Sequence, residues 1–197
     1  MINLSEIIKR KGFIETVCQG IYACIGISLS KISILCWNIR GYEINLSVGL
    51  GGRNIFFQSN KGAISIDKNS SVGFGVRLSA GFGGKIDISE NVAIFDYTII
   101  DIHSKLTVGK NTLIAPFCYI TDYDHVIKDK SRPIIEQGYV SKPIIIGTNV
   151  WLGTHVVILK GVRIGDNSII GAGSIVTSDI PPNSLAAGVP AKVVKKI

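Results

Sequence analysis

The sequence is short of charge, of histidine and of long apolar runs, and each shortage excludes something. Only 18% of the 197 residues are Asp, Glu, Lys or Arg, too few for a disordered, self-repelling chain. The uncharged stretch from Thr16 to Ser30 is interrupted by Gln19, Gly20 and Gly26. It falls short of the roughly 20 residues a spanning helix needs. Among the four cysteines, Cys18, Cys24, Cys36 and Cys118, there is no Cys-x-x-Cys pair. They read as reduced thiols of a cytosolic protein. Lysine and arginine outnumber aspartate and glutamate by 21 to 14, a net charge of +7. No dense basic run is interleaved with aromatics, which disfavours a nucleic-acid groove. The charge still suits anionic lipid or a phosphate-bearing ligand.

The length allows one domain and a small extension. Lys9, Arg10 and Lys11 precede an apolar segment in loose imitation of a signal peptide. Glu15 interrupts it early and no small-x-small cleavage site follows. Residues 1–43 are expected to form a helical extension. It packs on the main domain or a neighbouring subunit, or else lies on a membrane surface.

What the sequence has in abundance is a beat of six. Ile146, Leu152, Ile158, Ile164, Ile170 and Val176 are all aliphatic, without a gap. Val150, Val156, Val162, Ser168, Ser174 and Ile180, four residues further on in each hexad, are small or β-branched. Earlier groups of three begin at Ile44, Ile66, Ile88 and Val108. A period of six fits neither a helix nor a coiled coil. Three hexads make a triangular coil whose aliphatics point into a prism, and such coils must stack to bury them. About six coils are expected from residue 44 to 180, with residues 182–197 as a C-terminal tail. Cys118 falls at a small inward position and reads as a packing residue.

The beat stops once, in "TDYDHVIKDKSRPIIEQG" (Thr121 to Gly138). A projecting loop over 121–143 is expected there, and a loop this long on a rigid base is a natural place for function. It carries His125. At neutral pH a histidine is the group best suited to take a proton from an alcohol or amine. His103 and His155 read as structural.

The segments "IGTNVWLGTHVVILKGVRIG" and "IGAGSIVTSDIPPNSLAAGVPAKVV" resemble the hexapeptide-repeat acyltransferases. The similarity is to their galactoside, maltose and surface-polysaccharide O-acetyltransferases, and it covers roughly residues 44–197. It implies an all-β, left-handed parallel β-helix. It also implies a homotrimer with active sites between subunits, and acetyl-coenzyme A as co-substrate without a metal. By match of position, His125 would be the general base for direct transfer to a sugar hydroxyl. Trp151 and Thr154 would line the acetyl site, where a backbone N–H could hold the developing oxyanion. Asp96 and Tyr97 stand near a position where related enzymes use an asparagine for the acceptor, so this chain departs from that pattern. Asp122 or Asp124 would orient the imidazole. The coenzyme would lie along Ala172, Thr177, Ser178, Lys192 and Lys195; Ser178 replaces a common lysine.

The resemblance implies a glycan acceptor in the cytoplasm, at the inner face of the membrane if residues 1–43 touch lipid. Acylation of an amino-sugar nitrogen would use the same base and donor, and a non-catalytic scaffold is the third reading. A zinc carbonic anhydrase, also built on this fold, needs closely spaced histidines. Here they stand at 103, 125 and 155.

Overall fold

The computed structural model describes residues 29–59 and 61–197. The expectations for residues 1–28, including Cys18 and Cys24, lie outside the described residues. From Glu43 onward, short strands form three parallel faces of a prism, wound as a left-handed β-helix of about six coils. The hexad aliphatics are the register of this prism. Ile44, Ile66, Ile88, Val108, Ile146 and Ile164 follow one another on the first face. Leu50, Val72, Ile94, Ile114, Leu152 and Ile170 do so on the second. Phe56, Leu78, Ile100, Ile120, Ile158 and Val176 do so on the third. Nearly all are fully buried; Leu50, in the first coil, is partly exposed. Burying one such side chain is worth about 1.5–3 kcal/mol, so the stack is the main store of stability.

Both ends of the prism are covered. The helix over 29–39 lays Ile34 and Trp37 on the first coil. Trp37 meets Tyr42 and Phe56, each at 5.1 Å between ring centroids. Asn38 both accepts from the Ile44 N–H and donates to the Ile44 carbonyl, at 2.9 Å each. The amide thereby copies a missing neighbouring strand. At the other end, Ser184–Gly188 pairs on Ile169–Ile170, and Ala191–Lys196 folds back antiparallel onto it.

Each edge of the prism turns through the left-handed region of backbone space. The first-to-second edge uses Asn69, Asn91, Asn111, Asn149 and Asn167, with φ between +56° and +58°. Asparagine tolerates that conformation. Its amides also bond from coil to coil, as from Asn149 to Asn167 at 2.9 Å. The second-to-third edge uses Arg53, Gly75, Tyr97, Phe117, His155 and Gly173. All the extra residues of the irregular coils fall on the third-to-first edge.

The longest of these insertions is rooted firmly. Asp122 is fully buried. Its carboxylate accepts the N–H groups of His103, Ser104 and Lys105, each at 2.8 Å. Tyr123–His125 and Tyr139–Ser141 then form an antiparallel hairpin, and Ile134–Glu136 makes a short 3-10 turn. His103 stacks flat on Tyr123 at 3.5 Å. Burial holds the His103 imidazole below its ordinary pKa, against the opposing pull of Asp101 and Asp122. Burial and the facing Asp101, whose carboxylate accepts from the Tyr123 hydroxyl at 3.0 Å, push that phenol well above its ordinary range.

Two outcomes follow from this packing. A Cβ added at Gly153 would stand 2.6 Å from the Ala172 nitrogen and 2.9 Å from its Cα. Backbone on the next coil cannot give way cheaply, so Gly153→Ala should lower stability by about 1–3 kcal/mol in thermal or denaturant unfolding. Because burial lowers the His103 pKa in the folded state, the unfolded chain takes up its proton more readily than the folded one. Its contribution is complete above the unfolded value near 6.5 and is lost as pH falls through it toward the lower folded value. His103→Phe keeps a ring in the stack and should lose less stability than wild type between about pH 7.5 and pH 5.

Candidate active site

His125 ends the first strand of the hairpin, opposite Tyr139. Its ring is exposed and lies 4.6 Å from that of Tyr139. Neither expected partner aspartate faces it. Both oxygens of Asp122 are taken by the amides at the hairpin root, and Asp124 pairs with Lys160. Asp122 therefore fixes where the hairpin starts, and so sets His125 three residues on.

The remaining candidates fall on other parts of the prism. Trp151 points outward from the second face, half-exposed, in a row with Leu113, Ile169, Leu185 and Lys195. Asn149, Trp151, Asn167, Ile169 and Ile197 line an open cleft of about 360 Å³. Thr154 turns the second-to-third edge. Its hydroxyl donates to the Pro116 carbonyl at 2.8 Å and meets His155 Nδ1 at 2.9 Å. At one other corner of this edge an aspartate one coil on accepts the backbone N–H, Asp96 taking that of Phe74 at 2.8 Å; on the first-to-second edge Asp166 takes that of Thr148 at 2.7 Å. One coil on from Thr154 stands Ala172, which has no acceptor to offer, and the Thr154 N–H meets none among the described residues.

Asp96 lies on this same edge, two coils below Thr154, with its carboxylate on Phe74. Tyr97 stacks on Phe117 at 5.4 Å, and Phe117 on His155 at 5.1 Å. Thr177 and Ser178 follow the third face and are exposed at the third-to-first edge, apart from Ala172. Lys192 and Lys195 sit on the last strand. A spacing of three would turn them to opposite sides of a regular strand. The register slips between Leu185 and Ala186, leaving Val194 unpaired. That bulge returns both lysines to one side, opposite Ala187 and Leu185.

One chain therefore gathers Trp151, Thr154, Ala172, Lys192 and Lys195 around the second face. It carries His125 on a hairpin at another edge. Among the described residues no cluster of three or more His, Cys, Asp or Glu converges on a metal position. Cys118 is buried, donates to the Gly153 carbonyl at 3.3 Å, and has its thiol pushed up by burial, so its sulfur is not presented to an acyl group. The sequence reading missed the Asp122 anchor and the uncapped Thr154 amide.

A family model described as bacterial transferase hexapeptide (six repeats) matches residues 143–178. The chain is 50% identical over 117 residues to galactoside O-acetyltransferase of Escherichia coli K12, covering 59% of this chain and 56% of that protein. It is 39% identical over 144 residues to the putative lipopolysaccharide biosynthesis O-acetyl transferase WbbJ of the same organism, covering 70% and 74%. Among solved structures, the polySia specific acetyltransferase NeuO superposes with a TM-score of 0.69 at 32% identity, over 79% of this chain and 71% of that one. The hexapeptide-repeat acetyltransferase VCA0836 of Vibrio cholerae O1 biovar eltor, complexed with acetyl coenzyme A, gives 0.58 at 29%, over 65% and 68%. The chain thus spans little more than half the length of the galactoside enzyme and about three quarters of the lipopolysaccharide one. With its hexads in register on all three faces and these relatives along most of its length, the chain belongs to the hexapeptide-repeat acyltransferase family.

Proposed function

We propose that the protein is an O-acetyltransferase. It moves the acetyl group of acetyl-coenzyme A to a sugar hydroxyl of a bacterial surface polysaccharide or related glycan. The observation that carries the reading is the exposed His125 on a hairpin whose root is locked by Asp122. The imidazole accepts the proton of the acceptor hydroxyl. The oxygen attacks the thioester carbonyl and the C–S bond breaks. The leaving thiolate recovers the proton from the imidazolium. The Thr154 N–H, on a corner of the prism and without an acceptor among the described residues, suits the oxyanion that forms between these steps.

His125 and the Trp151–Ala172 wall stand on different edges, which supports a homotrimer in which the hairpin of one chain serves the wall of the next. The hairpin's exposed Ile127, Ile134 and Ile135 suit burial against such a neighbour. No described helix is long and apolar enough to cross a membrane. Helix 29–39 turns Leu29, Ile32, Leu35 and Ile39 outward. That stripe supports peripheral contact with the inner face of a membrane, where lipid-linked glycans are handled from the cytoplasm.

His125→Ala should reduce transfer by about 10²–10⁴-fold, with thermal unfolding and assembly unchanged because the ring is exposed. Activity within a few-fold of wild type, assayed against galactosides, maltosides and amino sugars by mass shift, would remove His125 from the mechanism. Lys192 and Lys195 share one side of the last strand, a suitable place for coenzyme phosphates. Lys192→Glu with Lys195→Glu should raise the KM for acetyl-coenzyme A and change kcat little, since a distant phosphate contact is uniform binding. Salt should shrink the effect. An unchanged KM at low salt would leave the two lysines as a solvated tail.

A further inference from the structure

The third-to-first edge carries an aromatic ladder that the transfer chemistry does not use. Phe82 lies 4.5 Å from His103 and 5.3 Å from Tyr139 between ring centroids. Tyr139 reaches His125 at 4.6 Å. In the coil below, Phe57 pairs with Ser79 and borders the same cleft as Phe82. Phe57, Gln58, Ser59, Lys61, Phe82 and Gly83 line an open cleft of about 590 Å³.

Packing does not account for these rings. Phe82 is 74% exposed, Phe57 53% and Tyr139 42%. Phe82 also holds a φ of +51° beside Gly81, Gly83 and Gly84, a conformation costly for a bulky side chain and easy for another glycine. Beside the rings, the exposed Lys61 takes part in no ion pair among the described residues.

We infer that this ladder is an acceptor subsite that holds a glycan chain of several sugars leading to His125. The inference rests on the acetyltransferase reading of His125. The aliphatic C–H face of a pyranose lies flat on an aromatic ring, its positive hydrogens against the negative π face. A carboxylate or phosphate on the chain meets Lys61. From Phe57 to the hairpin root is three coil steps, about 14 Å at roughly 4.8 Å each. That is longer than a single sugar ring. Continuity with His125 distinguishes this occupant from an unrelated partner.

The test measures binding of the full chain to two size series, without coenzyme, by calorimetry or saturation-transfer NMR. One series runs from maltose to maltohexaose and the other from the dimer to the hexamer of α2,8-linked sialic acid. At least one series should tighten by about tenfold or more with length. Phe82→Ala and Phe57→Ala together should abolish that gain while leaving the shortest member unchanged. Phe82→Gly, which relieves the turn, should behave as Phe82→Ala does and so guards against misfolding. His125→Ala should keep the gain. If neither series tightens with length, or the gain survives the paired substitution, the subsite is overturned even if acetyl transfer to a short sugar is found. If the gain is present and depends on the rings while no acceptor is acetylated, the subsite stands and the acetyltransferase reading falls.

Discussion

Everything in this molecule depends on keeping one spacing constant: the rise between coils, fixed at about 4.8 Å by backbone amides bonding to the carbonyls of the next turn. The aliphatic on each face stacks only if every edge returns the chain at that height. Each edge meets the requirement differently. One uses asparagines that tolerate the turn and bond along the stack, as Asn149 does with Asn167. Another sets three rings that stack on one another, as Phe117 does on His155, between Gly75 and Gly173. The third absorbs extra residues and still delivers the next strand in register, with Val108 beside Ile146 across the longest insertion.

That division of labour explains where chemistry can be placed. Two edges are bound to the repeat, so their positions are rigid but short of reach. The third has reach, and the buried Asp122 gives it a fixed origin. Removing that carboxylate would leave the N–H groups of His103, Ser104 and Lys105, part-buried at the root, without their acceptor. The loop is a cantilever, not a flexible tether. Its base and the proposed coenzyme wall belong to different edges, which fits the homotrimer proposed above.

The prism was legible because its signal is redundant. One aliphatic per hexad, repeated through six coils, specified the register residue by residue, and the counts of extra residues located the loop. The hairpin inside the loop was not legible. Tyr123–His125 and Tyr139–Ser141 bury little against the prism, so no apolar alternation marks them. Asp122 was expected, as an alternative to Asp124, to orient the imidazole, because sequence cannot show that three amides converge on it. His125 stood out by position, but its role came from resemblance. The asparagine edge could have been found, since Asn69, Asn91, Asn111, Asn149 and Asn167 recur in step with the coils.

The unpaired Val194 has a consequence of another kind. A strand has two sides, so each residue position carries a parity, and an insertion of one inverts the parity of all that follows. In a loop such an insertion would be silent. Here it sits between two lysines an odd number apart and makes them even. The sidedness of the basic tail is thus encoded by a count and not by any particular side chain. It should tolerate substitution at Val194 far better than its deletion.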